Sequence, residues 1–128
     1  MIVDSSAVLA ILFDEPDSRR FARAMMEETP CRMSSATALE SAIVLESRGG
    51  LSAGSELDRL LLTAGMELMP VTPEQFEIAR AAWRRYGKGN HPAALNFGDC
   101  FAYALAKSAG EPLLFKGGDF SRTDIEAA

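Results

Sequence analysis

Four carboxylates stand where an α/β chain would do chemistry. Asp4, Glu40, Asp99 and Asp119 each follow a predicted strand or fall in the first turns of a predicted helix. In parallel sheets, sites form outside the carboxyl ends of the strands, so acids from separate segments can meet there. Like charges brought that close need a cation to stay ionised. Oxygen-only ligands select magnesium or manganese over zinc, and magnesium keeps several waters and completes its shell from a phosphate. Such a centre can bind a phosphodiester, activate a water for in-line attack and neutralise the leaving oxygen. Plainer roles are open to the same residues. Asp4 can cap the helix that follows it, Asp99 can stabilise a helix dipole, and Asp119 can shape the turn after Gly117-Gly118. Glu40 competes with Glu46, because both flank the apolar stripe Ala36, Leu39 and Ile43. At 1.5 Å rise per residue Glu46 lies roughly 9 Å farther from the strand ends, which favours Glu40.

The elements that must position these acids are set off by glycine, proline and capping residues. Ile2-Val3 reads as a short strand, with Ser5 and Ser6 starting a helix through Phe13; a second helix follows Asp17, from Ser18 to Glu28, and Pro30 stops it. Cys31-Arg32-Met33 reads as a strand. Ser34 or Ser35 opens a helix to about Arg48, ended by Gly49-Gly50, and Ser52 caps another with the stripe Leu57, Leu60 and Leu61. A strand at Met66 to Met69 precedes the strong start Thr72-Pro73-Glu74-Gln75 of a helix to Tyr86. Asn96 opens a nearly all-apolar helix to Ala109, Gly110 ends it, and Pro112-Leu113-Leu114-Phe115 is the last strand. Four short apolar strands separated by helices predict a three-layer α/β/α sandwich around a central parallel sheet.

Size and composition agree with that class. At 128 residues, 48% hydrophobic and 24% charged, the chain has the content of one packed domain rather than a fibre or a disordered tail, so residues 1–128 read as a single domain. No apolar run approaches the roughly 20 residues that span a bilayer, and Met1-Ile2-Val3-Asp4 lacks a signal-like flank, which points to a cytoplasmic protein without a membrane partner. Cys31 and Cys100 sit in apolar segments and read as buried free thiols; His91 reads as a loop residue with no catalytic role. A net charge of −5 argues against a nucleic-acid partner, but its distribution does not. Residues 1–79 carry 13 acids against 6 bases, and residues 80–122 carry 3 against 7, including Arg84, Arg85, Lys88, Lys116 and Arg122. That basic flank can hold a phosphate backbone beside a cation-filled acidic cleft. Phe76, Ala79, Trp83 and Tyr86 recur at helical spacing, and with Met25, Met26, Met66 and Met69 they read as core or interface; Met25 and Met26 are also candidates for a partner groove.

Met1-Ile2-Val3-Asp4-Ser5-Ser6-Ala7, the acid in Ser35-Ala36-Thr37-Ala38-Leu39-Glu40, the run Leu95-Asn96-Phe97-Gly98-Asp99-Cys100-Phe101-Ala102-Tyr103-Ala104-Leu105-Ala106-Lys107 and the segment Pro112-Leu113-Leu114-Phe115-Lys116-Gly117-Gly118-Asp119-Phe120 together resemble a PIN-domain ribonuclease of the VapC toxin type. The resemblance spans nearly the whole chain. It implies a Mg2+- or Mn2+-dependent endoribonuclease that cuts structured RNA, transfer or ribosomal, and is blocked by a cognate antitoxin. It implies a homodimer or a toxin–antitoxin hetero-oligomer. Asp4, Glu40, Asp99 and Asp119 match the family's acidic quartet, and Ser5 or Ser6 matches the small hydroxyl residue that orients the first acid. Gly118 stands where relatives often carry Asp or Asn, so Asp119 is the only acid of its loop, and Asp124 is an alternative or water-mediated ligand.

Two other classes compete. A non-catalytic PIN-like module would keep the fold and bind RNA or protein without cutting it. A phospho-receiver domain would use Lys116 after the last strand, but it needs an acceptor Asp at the end of its central strand, and the strands here end in Met33-Ser34 and Met69-Pro70. A phosphate-binding Gly-rich loop with Lys-Ser or Lys-Thr and a Gly-x-Ser-x-Gly turn are absent.

Overall fold

A computed structural model describes residues 1–128. Its strands are β1 (Ile2–Val3), β2 (Arg32–Ser34), β3 (Glu67–Met69) and β4 (Leu113–Leu114), all parallel and ordered β3-β2-β1-β4. Ile2 sits opposite Arg32 on one side and Leu113 on the other, and Val3 sits opposite Leu114. Because strand side chains alternate, this register sends Ile2 and Leu113 to one face and Val3 and Leu114 to the other.

Each face is covered. Val3 and Leu114 join Val8, Phe21, Met25, Leu45 and Leu57 from α1 (Ser5–Leu12), α2 (Ser18–Glu27) and α3 (Ser35–Thr63). Ile2 and Leu113 join Ala82, Tyr86, Ala102 and Leu105 from α4 (Pro73–Tyr86) and α5 (Phe97–Ala109). The three-layer α/β/α sandwich expected from the sequence is the architecture found. The chain lays β1, β2 and β3 outward in one direction and then returns to put β4 on the free side of β1. That reversal opens a crevice at the carboxyl ends of β1 and β4, the place where such sheets bind ligands. No helix is long and apolar enough to cross a membrane. Cys31 and Cys100 are free and buried.

Most boundaries follow the local signals. The Thr72 hydroxyl accepts from the Gln75 amide at 3.1 Å, Asn96 and Asp99 form a reciprocal capping box, and Gly110 ends α5 in the left-handed region at φ 64°. Gly49-Gly50 ends the first helical stretch of α3 as expected: Gly50 turns to φ 69°, ψ −164°, and two helical stretches meet across this kink. One reading needs correction, because Ser52 does not cap the second stretch; its hydroxyl donates to the Gly49 carbonyl at 3.2 Å.

The inward face of α3 is not Ala36, Leu39 and Ile43 either. Thr37, Ala38, Ser41 and Leu45 are buried, while Leu39 and Ile43 are exposed. The small polar side chains fit against the sheet, and the Ser41 hydroxyl satisfies itself on the Thr37 carbonyl at 2.9 Å, so apolarity alone misjudged the face. Likewise Met25 and Tyr86 are core, but Met26, Phe76 and Trp83 lie on the surface.

Gly50 occupies a backbone region essentially reserved for glycine, where another residue costs on the order of 1–3 kcal/mol. Gly50→Ala is expected to lower unfolding stability by that amount in a denaturant titration.

Candidate active site

Asp4 leaves the end of β1 as the N-cap of α1, so one of its carboxylate oxygens is committed to the chain. Oδ2 accepts from the Ser6 amide at 3.0 Å and from the Ser6 hydroxyl at 2.6 Å. The Ser6 hydroxyl in turn accepts from the Lys116 amide at 2.9 Å, which ties the segment after β4 to the same carboxylate. Asp4 is 2% exposed, and its Oδ1 is buried without a hydrogen-bond partner. An unsatisfied buried carboxylate oxygen is costly in free energy. Burial pushes the Asp4 carboxyl above the usual range; the Ser6 bonds act against that, and the nearby Glu40 charge adds to it.

Glu40 comes from the second turn of α3. Its Oε1 accepts from the Ser5 hydroxyl at 2.9 Å, which links the first helix to the third. Asp99 comes from the first turn of α5, where its amide donates to Asn96 Oδ1 at 2.9 Å and its Oδ2 accepts from the Asn96 amide at 3.0 Å. Asp99 is pushed up to about 7, chiefly by burial, against the Asn96 amide bond and with repulsion from Asp4, Asp119 and Glu40. The four acids thus lie within one another's field at one end of the sheet. Asp119 is the exposed member, in the loop before the short 3-10 turn Phe120–Arg122, and makes no capping bond.

The capping roles and the chemical reading are therefore compatible. Asp4, Glu40 and Asp99 each spend one oxygen on orientation by the chain and keep the other. The donors are all carboxylate oxygens, the set that suits magnesium or manganese. As they stand, no three of them close into a ready coordination shell. The buried carboxylate oxygen without a partner is Asp4 Oδ1, an acceptor of the kind that magnesium or manganese takes.

Other residues singled out from the sequence fall into distinct settings. Asp124 is engaged elsewhere: Oδ1 accepts from the Tyr103 hydroxyl at 2.6 Å and Oδ2 pairs with Lys107 Nζ at 2.8 Å. Lys116 is not a free cation, since its ammonium lies against Glu15 and Asp17. Arg84, Arg85 and Lys88 are exposed, as is Arg122, which donates to the Pro92 carbonyl at 3.2 Å. His91 stays in its loop, its Nδ1 accepting from the Ala93 amide at 3.0 Å. Residue patterning missed Gly98, whose Cα faces the Glu40 carboxylate; the available signal was a glycine inside a first helical turn, where it is a poor helix former.

Ionisation of Asp99 is suppressed in the folded chain relative to an unfolded value near 3.9. The folded protein therefore holds a proton that the unfolded chain loses between about pH 4 and 7, and the stability contributed by this group falls as pH rises through that window. With divalent ions chelated, Asp99→Asn is expected to be more stable than the wild type by on the order of 1–3 kcal/mol at pH 8, with the gap narrowing below pH 7 and closing by about pH 4. Thermal unfolding of both proteins across that range checks it.

Comparison with known proteins bears on the family and the fold. Residues 1–126 match the PIN domain model. The chain is 52% identical to the VapC ribonuclease Mb0640 of Mycobacterium bovis over 125 residues, covering 98% of this chain and 95% of that one. It is 52% identical to the ribonuclease VapC of Mycolicibacterium smegmatis over 127 residues, covering 99% and 98%. Mycobacterium tuberculosis VapC20, described as a sarcin-ricin loop cleaving toxin, has the same fold, with a TM-score of 0.80 over 99% of this chain and 97% of that one at 19% identity. With four acids at the switch point of a parallel sheet and a family match along nearly its full length, the chain belongs to the PIN-domain family, in its VapC group.

Proposed function

We propose that this protein is a metal-dependent endoribonuclease, the toxin of a toxin–antitoxin pair acting in the cytoplasm. The observation that carries the reading is that Asp4, Glu40 and Asp119, from three other segments, lie near enough to Asp99 to raise its proton affinity, while Asp4 Oδ1 is buried without a partner. Asp4, Glu40 and Asp99 would hold Mg2+ or Mn2+, with Asp119 as the exposed fourth acid. When bound, the ion would supply Lewis acidity toward a phosphodiester and lower the pKa of a water.

The chain's own residues do the rest. Ser6 fixes Asp4 through two bonds, Ser5 fixes Glu40, and the Asn96 box fixes Asp99, so little carboxylate motion is left to freeze when substrate arrives. The exposed Arg84, Arg85, Lys88 and Arg122 supply positive charge for the flanking RNA backbone, and Lys116 braces the loop between β4 and Asp119 through Glu15 and Asp17. Structured RNA, transfer or ribosomal, is the substrate class that the family membership favours.

A protein partner is supported by apolar surface. Phe97 is 80% exposed and lines a groove between α4 and α5 with Phe76 and Trp83, and Met26, Leu39 and Ile43 are exposed on helices of the opposite face. Such surface suits an antitoxin segment or a second copy of the chain. An arginine delivered by the antitoxin to the unneutralised acids would block the site in the way a cation fills it.

Incubation of the purified protein with total RNA, in Mg2+ or in chelator, tests the reading. Cleavage is expected only with Mg2+ or Mn2+, with a loss of roughly 100-fold or more for Asp4→Asn and Asp99→Asn while both variants remain folded by circular dichroism. Metal-independent cutting, or equal cutting by wild type and Asp99→Asn, would overturn it.

A further inference from the structure

We infer that Gly98 is a positioning residue for the acidic site: the absence of its side chain is what lets the Glu40 carboxylate lie across the first turn of α5, beside Asp99. This rests on the proposed ion-binding role of Glu40. A Cβ built on Gly98 would fall 2.6 Å from Glu40 Cδ and 2.9 Å from Oε1, and nearer still to Oε2, so the whole carboxylate fills the space of the missing methyl group. Neither separation is tolerable between non-bonded atoms.

Backbone conformation does not call for glycine here. Gly98 is helical and does not have a positive φ, unlike Gly50, Gly65, Gly89, Gly110 and Gly117. A helical glycine is less favourable than alanine by up to about 1 kcal/mol, so on local grounds alanine is the better residue at this position. What glycine provides instead is contact. Glu40 is held from one side by the Ser5 hydroxyl at 2.9 Å and bounded on the other by the bare Cα of Gly98. The obstructing atoms belong to the end of a flexible side chain rather than to backbone, so a methyl group at position 98 displaces the Glu40 carboxylate and leaves the helix in place. Fold and site are thereby separable at one residue: Gly98→Ala favours the helix and misplaces the acid.

Isothermal titration with Mn2+ alone, paired with thermal unfolding of the metal-free proteins, tests this. Gly98→Ala is expected to melt at or above the wild-type temperature and to bind Mn2+ roughly tenfold or more weakly, the size of effect seen when a ligand loses its orienting neighbours. In a Glu40→Asp background, where the carboxylate is withdrawn by one methylene, adding Gly98→Ala is expected to cost less than about twofold, because the two changes share one contact. Wild-type binding retained by Gly98→Ala while Glu40→Gln binds weakly would overturn the role of Gly98 alone. An equal loss from Gly98→Ala in both backgrounds would overturn the steric mechanism. Glu40→Gln binding as tightly as wild type would overturn the ion-binding role of Glu40 and this inference with it.

Discussion

Repulsion among carboxylates in a desolvated crevice is the constraint around which the molecule is arranged. Left to themselves, Asp4, Glu40 and Asp99 would be better separated and better hydrated. The sheet order brings β1 and β4 together with a crevice at their carboxyl ends, and the segments that follow cannot avoid delivering acids to the same place. The strain shows where it must, in the raised proton affinities of Asp4 and Asp99 and in an Asp4 oxygen left without a partner.

What keeps the arrangement from relaxing is a set of short hydrogen bonds that cross between elements. Ser6 binds Asp4 and also receives the Lys116 amide, so one hydroxyl couples β1 to the segment after β4. Ser5 reaches from α1 to Glu40 on α3, and Gly98 brings the first turn of α5 against the same carboxylate. The Lys116 ammonium, paired with Glu15 and Asp17, anchors its loop to the chain between α1 and α2. Basic side chains thus divide into two kinds: those consumed in bracing the acidic end and those, such as Arg84, Arg85 and Lys88, that remain at the surface.

Local chemistry alone sufficed for much of this. Thr72-Pro73, Asn96 and Gly110 announce helix ends because their interactions reach only three or four residues along the chain. Short apolar strands between helices imply a parallel sheet covered on both sides, and acids placed just after those strands imply a site at one edge. Fold class was therefore readable from residue order, and so was the candidacy of the four carboxylates.

Everything that depends on which segments become neighbours was decided by the tertiary structure. Thr37 and Ser41 face inward on α3 because small polar groups fit there, although the apolar pattern favours Leu39 and Ile43. Asp124 went to Tyr103 and Lys107, and Lys116 to Glu15 and Asp17, pairings that span from 17 to 101 positions and leave no trace in local spacing. Gly98 looks like a weak point in a helix until Glu40, from a distant helix, is seen to occupy its empty side. Periodicity and capping report what a residue does to its own turn of chain; only the packed molecule determines what it does to a stranger in sequence.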